Sequence, residues 1–89
     1  MTVADTLRLL RPHLAYVQIT DAQSLDDVTP ALPGAGVLPL RELREALVDG
    51  GYEGWVSLEW ASYWFPGSPP LADALPLARR FIDGSLWDR

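Results

Sequence analysis

Glu59 is the residue whose placement most demands a chemical explanation. It falls late in the hydrophobic run Trp55-Val56-Ser57-Leu58-Glu59-Trp60. A carboxylate there is costly unless it is paired, metal-bound or exposed at a strand end. Gln18 holds the corresponding place in Tyr16-Val17-Gln18-Ile19-Thr20. Its amide oxygen is a neutral, hard donor suited to Mg²⁺ or Mn²⁺ beside carboxylates, and equally able to make an ordinary hydrogen bond within a sheet. Asp21, next along, can support a ligand, contact a substrate or simply begin a turn. Tyr16, Tyr63 and Trp64 could wall a sugar pocket, although packing accounts for each equally well. His13 precedes the first run, outside the ligand position, and no nucleophile motif accompanies it. Pro33-Gly34-Ala35-Gly36 is too short a stretch to specify a phosphate loop.

These residues need elements to position them. Val3, Leu7 and Leu10 recur at helical spacing over 3–10, and Pro12 ends that helix. The run over 14–20 alternates as a strand, with Ala15, Val17 and Ile19 on one face and Tyr16, Gln18 and Thr20 on the other. Residues Asp21 to Leu38 show no period and read as a loop, long enough to be functional rather than idle. Pro39 opens a helix over 39–49, its stripe Leu40, Leu43, Leu47 and Val48, stopped by Gly50-Gly51. A second strand covers 55–60, with Trp55, Ser57 and Glu59 on one face. A last helix covers 70–83, with Leu71, Leu75, Ala78, Phe81 and Ile82 expected inward and Arg79 and Arg80 outward. Pro76 is expected to kink that helix or delay its regular part, and Gly84 to close it.

Strands alternating with helices indicate parallel βαβ units, hence an α/β fold. Two parallel strands rarely stand alone, and the face carrying Gln18, Ser57 and Glu59 is too polar for a core. It reads as a face projecting into a site that further strands complete.

Composition narrows the function classes. The chain has 89 residues, 48% hydrophobic with four Trp, no Cys, and a net charge of −5. That is ample for a folded segment, and it excludes disulfides and thiolate metal sites. All the basic residues are Arg, and they sit in or beside helices instead of forming a stripe, so no nucleic-acid partner is expected. No apolar run is long enough to span a membrane, and the first residues lack a signal-peptide pattern, which points to a cytoplasmic protein.

Three segments together resemble the xylose isomerase-like barrel superfamily of sugar phosphate isomerases and epimerases, including its hydroxypyruvate isomerase branch. Pro12-His13-Leu14-Ala15-Tyr16-Val17-Gln18-Ile19-Thr20-Asp21-Ala22 is similar to the seventh strand, Pro33-Gly34-Ala35-Gly36-Val37-Leu38-Pro39-Leu40 to the Pro-Gly-x-Gly loop entering the seventh helix, and Gly51-Tyr52-Glu53-Gly54-Trp55-Val56-Ser57-Leu58-Glu59-Trp60 to the eighth strand. The last is the most specific. The resemblance implies the C-terminal two βα units, plus a preceding helix, of a (β/α)8 barrel, which usually takes about 250 residues and is incomplete as a single chain of this length. It implies a divalent metal, Mn or Mg, held by Glu59 and, at the family's His position, by Gln18. It implies a catalytic role for Glu59 in proton transfer through an enediolate, with Asp21 and Trp64 binding substrate or supporting the ligands. The substrate is then a small sugar or keto-acid. The chain departs from the family where its Lys is Thr20 and where a His after the eighth strand is Phe65. The partner Glu and the Asp ligand would come from strands not among these residues, through an upstream barrel fragment. The alternative is an inactive remnant that self-associates or completes a partner barrel.

Overall fold

The computed structural model describes residues 2–61 and 64–88. The first helix, α1 (Val3–Leu10), is begun by a capping box. The Thr2 hydroxyl accepts the Asp5 backbone N–H at 3.1 Å, and the Asp5 carboxylate accepts the Thr2 N–H at 3.2 Å. Both amides would otherwise lack a helical partner. The backbone and then the hydroxyl of Thr2, with Arg8 adding to them, hold the Asp5 carboxyl below its ordinary value of 3.8. A lowered folded-state value means that this cap contributes above 3.8 and is lost as pH falls through and below it. Acidification should therefore move the Thr2 and Asp5 amide resonances toward random-coil positions before those of α2 and α3 shift. Unmoved resonances at low pH would refute this.

Pro12 turns the chain through a single 3₁₀ turn, Arg11–His13, closed by Leu14 N–H donating to Arg11 O at 3.2 Å. The expected strand over 14–20 follows as β1 (Val17–Ile19), shorter because Leu14 still belongs to that turn. The stretch from Asp21 to Leu38, expected as a loop, departs from expectation. It contains an antiparallel hairpin, β2 (Ala22–Ser24) with β3 (Asp27–Pro30). Strands of three and four residues offer too few positions for alternation to show, and the register shift between Ala22 and Ser24 breaks what remains. At the turn, the Asp27 carboxylate accepts the Thr29 N–H at 3.0 Å and its hydroxyl at 2.6 Å.

Helix α2 (Leu40–Asp49) starts at Pro39, which occupies the N-cap and not the first helical position, and stops at Gly50. The next strand, β4 (Val56–Leu58), pairs in parallel with β1, matching Val17 with Val56, Gln18 with Ser57 and Ile19 with Leu58. The ladder is extended by Val17 N–H to Trp55 O at 3.1 Å and Glu59 N–H to Ile19 O at 2.9 Å. Helix α3 (Leu71–Asp83) runs through Pro76, which therefore does not delay it, and ends where Gly84 takes a φ of +85°. That left-handed conformation suits glycine and lets the chain reverse. Residues 84–88 then fold back: the Arg80 guanidinium donates to Asp88 O at 3.2 Å and contacts Ser85 O, while Leu86 and Trp87 join the core. Phe81 and Trp87 meet edge-on with ring centroids 6.2 Å apart, and the Arg41 guanidinium lies 5.9 Å from the Trp87 ring centre.

The core consists of Val17 and Ile19 from β1, Leu40 and Leu47 from α2, and Ala78 and Phe81 from α3, with Leu7, Leu43, Val56 and Leu58 packed against it. The inward side of α3 is thus Ala74, Ala78 and Phe81, correcting the expectation for Leu71, Leu75 and Ile82, which are exposed. Both sets satisfy a helical period, so spacing alone cannot choose between them. Val48 of the expected α2 stripe is likewise exposed. The sheet order is β1-β4, and among the described residues neither strand has a second neighbour in that sheet. The helices cover one face; among the described residues nothing covers the other.

Candidate functional site

The odd-numbered residues of β1 carry the core, so the even-numbered ones must face away from it. Tyr16 and Gln18 are exposed and Thr20 is partly so; across the ladder, Trp55 and Glu59 are exposed and Ser57 is partly so. The open face is therefore graded along the strands. Tyr16 and Trp55, 53% and 84% exposed, lie at its N-terminal end, whereas Gln18, Thr20, Ser57 and Glu59 lie toward its C-terminal end. In an α/β sheet the C-terminal end is where loops and strand ends converge to bind ligands.

Gln18 and Glu59 share this face, but not the same level. Gln18 is registered with Ser57. Glu59 lies two residues beyond that partner, about 7 Å further along at the usual strand rise. Among the described residues neither side chain makes a hydrogen bond or ion pair. Glu59 is therefore an exposed, unpaired acid, free to meet a group from elsewhere. Both donors are hard oxygens of the right kind for Mg²⁺ or Mn²⁺, yet two fall well short of about six. No group of three or more His, Cys, Asp and Glu capable of holding a metal occurs among the described residues. The donors fit a divalent ion in type, and any such site needs ligands from beyond this face.

Asp21 behaves differently. It is 2% exposed and lies two residues beyond the end of β1. Its Oδ1 accepts the N–H groups of Ala22 at 2.9 Å and Leu38 at 3.0 Å, and its Oδ2 accepts those of Gly34 and Gly36, both at 3.0 Å. A carboxylate so surrounded by amides is committed to holding the loop that follows the hairpin. Those amides are also the ones a phosphate would use, so Pro33-Gly34-Ala35-Gly36 is an occupied cradle.

Trp64 lies 76% exposed, six residues beyond the end of β4, its backbone N–H donating to Ala61 O at 3.0 Å. Tyr63 lies outside the described residues. His13 is exposed in the 3₁₀ turn that precedes β1, at the end of the strand remote from Glu59. The sequence reading missed two contributors: the amides of Gly34, Gly36 and Leu38, and the tail residue Leu86. A side chain on Gly34 would meet Leu86 at 3.3 Å. The paired glycines were the available signal for the first; nothing local signals the second.

The chain is similar to sugar epimerases and isomerases of the xylose isomerase-like barrel class. It is 41% identical over 50 residues to fructoselysine 3-epimerase of Escherichia coli, covering 56% of this chain and 18% of that protein. It is 40% identical over 52 residues to a protein of Streptomyces coelicolor provisionally named a hydroxypyruvate isomerase, covering 58% of this chain and 17% of that one. The chain therefore spans less than a fifth of the length of the curated relatives it matches. No family profile matches it, and no solved structure does. No helix among the described residues is long and apolar enough to cross a membrane.

Proposed function

We propose that this chain supplies two adjacent βα units of a divalent-metal-dependent sugar isomerase or epimerase barrel, the other strands coming from outside these 89 residues. The observation that carries the reading is the open face of β1 and β4, on which Gln18 and Glu59 stand uncovered and unpaired among the described residues; the 41% identity of a 50-residue stretch of the chain to a sugar epimerase supports it. Glu59 acts as a proton carrier: its carboxylate takes a proton from the carbon beside a carbonyl, and a second acid from another strand returns one at the neighbouring carbon or opposite face. Gln18 and Glu59 would hold Mg²⁺ or Mn²⁺ together with ligands from those strands, and such an ion supplies polarisation of the substrate's carbonyl. Trp64, at the mouth, walls the sugar or keto-acid. Asp21 supports the site through the loop it holds and not by touching substrate, because its lone pairs are already engaged.

Substoichiometric Mn²⁺ provides a direct test on the chain. Paramagnetic broadening should concentrate on Gln18, Thr20, Ser57 and Glu59 and vanish in Glu59→Gln. Broadening spread evenly over the acidic surface, or unchanged in the variant, would remove the metal from the proposal. A second reading is favoured by the exposed Tyr16 and Trp55 on a face with unpaired strand edges: self-association, or completion of a partner's barrel, without turnover. Sedimentation velocity distinguishes it, since a stable monomer at all concentrations contradicts self-association.

A further inference from the structure

Among the described residues Asp21 is the buried acidic side chain, and no cation accompanies it there: both ion pairs are exposed and lie elsewhere. A buried carboxylate without a counter-ion needs its charge met by hydrogen bonds. Here four backbone N–H groups converge on two oxygens, and three of them come from one short segment, 13 to 17 residues away in sequence. Main-chain amides turned toward one point form an anion-binding concavity, and here the alternate amides of Gly34, Gly36 and Leu38 do so. The segment is shaped for it. Gly34 has a φ of +88°, and a Cβ on Gly36 would fall 2.3 Å from Asp21 Oδ1 and 2.3 Å from Ala22 O. Two further main-chain bonds close the same loop, Ala31 N–H to Asp21 O at 3.2 Å and Val37 N–H to Ala22 O at 3.0 Å.

We propose that the Gly34–Leu38 segment is a carboxylate-binding cradle whose ligand is the chain's own Asp21, and that this internal anion gives the loop its fold. Asp21 is then a positioning residue: it fixes the rim beyond the C-terminal end of β1, beside Thr20 and Glu59, without entering the chemistry. The proposal stands on this geometry and does not depend on the reaction assigned to the open face. It also states what the cradle accepts once emptied, namely a small free carboxylate.

The experiment uses Asp21→Ala and Asp21→Asn, read through the amide shifts and exchange protection of Gly34, Gly36 and Leu38, with formate added against an equal concentration of chloride. In the parent chain these amides should be shifted downfield and protected. Asp21→Ala should abolish all three signatures, and Asp21→Asn, which keeps one acceptor oxygen, either those of Gly34 and Gly36 or that of Leu38, while the β1-β4 ladder amides persist; formate, but not chloride, should restore them in Asp21→Ala. Should a variant unfold altogether, refolding by formate alone supports the cradle, and failure to refold overturns it. Retention of the three amide signatures in either variant, or restoration by chloride as readily as by formate, also overturns it. Gly36→Ala supplies an independent check: it should disturb the same amides with Asp21 intact, and an undisturbed loop would count against the proposal.

Discussion

Replacing Phe81 with Ala is expected to abolish the cooperative unfolding transition of this chain. Phe81 is 1% exposed and packs among Val17, Ile19, Leu40, Leu47 and Ala78, with Trp87 against its edge. Its main-chain carbonyl also accepts the Arg44 guanidinium at 3.0 Å, which ties α3 to α2. Truncating a buried Phe costs about 3–5 kcal/mol, the transfer of the ring plus the cavity left behind. A unit of this size has total stability of about 4–13 kcal/mol at the usual per-residue value, and one with an uncovered sheet face belongs at the low end. The loss is therefore comparable with the whole. Near-ultraviolet circular dichroism and a urea melt would measure it: a variant that still unfolds cooperatively, with its midpoint nearly unchanged, would show that the core lies elsewhere. Ile82→Ala, one residue along but exposed, should cost little and serves as the control.

The second large effect concerns chemistry. In a barrel completed by the remaining strands, Glu59→Gln should lower kcat by about 10²–10⁴, the usual worth of a positioned general acid or base. The amide is nearly isosteric with the carboxylate, and Glu59 has no partner among the described residues to lose. Folding should therefore be untouched, and the loss assignable to proton transfer and metal affinity. A Gln18→Ala barrel should lose metal affinity with a smaller effect on the bound enzyme's turnover, because an amide cannot carry the proton. Equal activity of Glu59→Gln and the parent barrel would end the proposed catalytic role.

Much of the framework could be read from local pattern. Leu40, Leu43 and Leu47 mark α2, and Gly50-Gly51 marks its end, because a 3.6-residue period and a glycine stop are properties of consecutive residues. Alternation places Val17 and Ile19 on the face opposite Gln18, and Val56 and Leu58 on the face opposite Glu59, so the shared open face was legible too. The level of Gln18 relative to Glu59 was not. Register is decided by which carbonyl each amide meets across the ladder, and no residue within either strand encodes it. The hairpin at Ala22–Pro30 escaped because its strands are too short to show a period. On α3 the inward Ala78 and Phe81 were legible, but Ala74 escaped and Leu71, Leu75 and Ile82 were counted inward in error, because a helical period fits more than one adjoining stripe.

Glu59 itself illustrates the division. Its residue type, its place late in a hydrophobic strand and the face it shares with Gln18 all follow from consecutive residues, since a strand's side chains alternate whatever it pairs with. The tertiary structure decided that no described residue covers this face, that Glu59 sits beyond the level of Gln18, and that the Asp21 carboxylate accepts the amides of the loop. Those outcomes depend on partners 13 to 17 residues away, or in another strand. Contacts over such separations exist only once the chain has closed, and local pattern cannot register them.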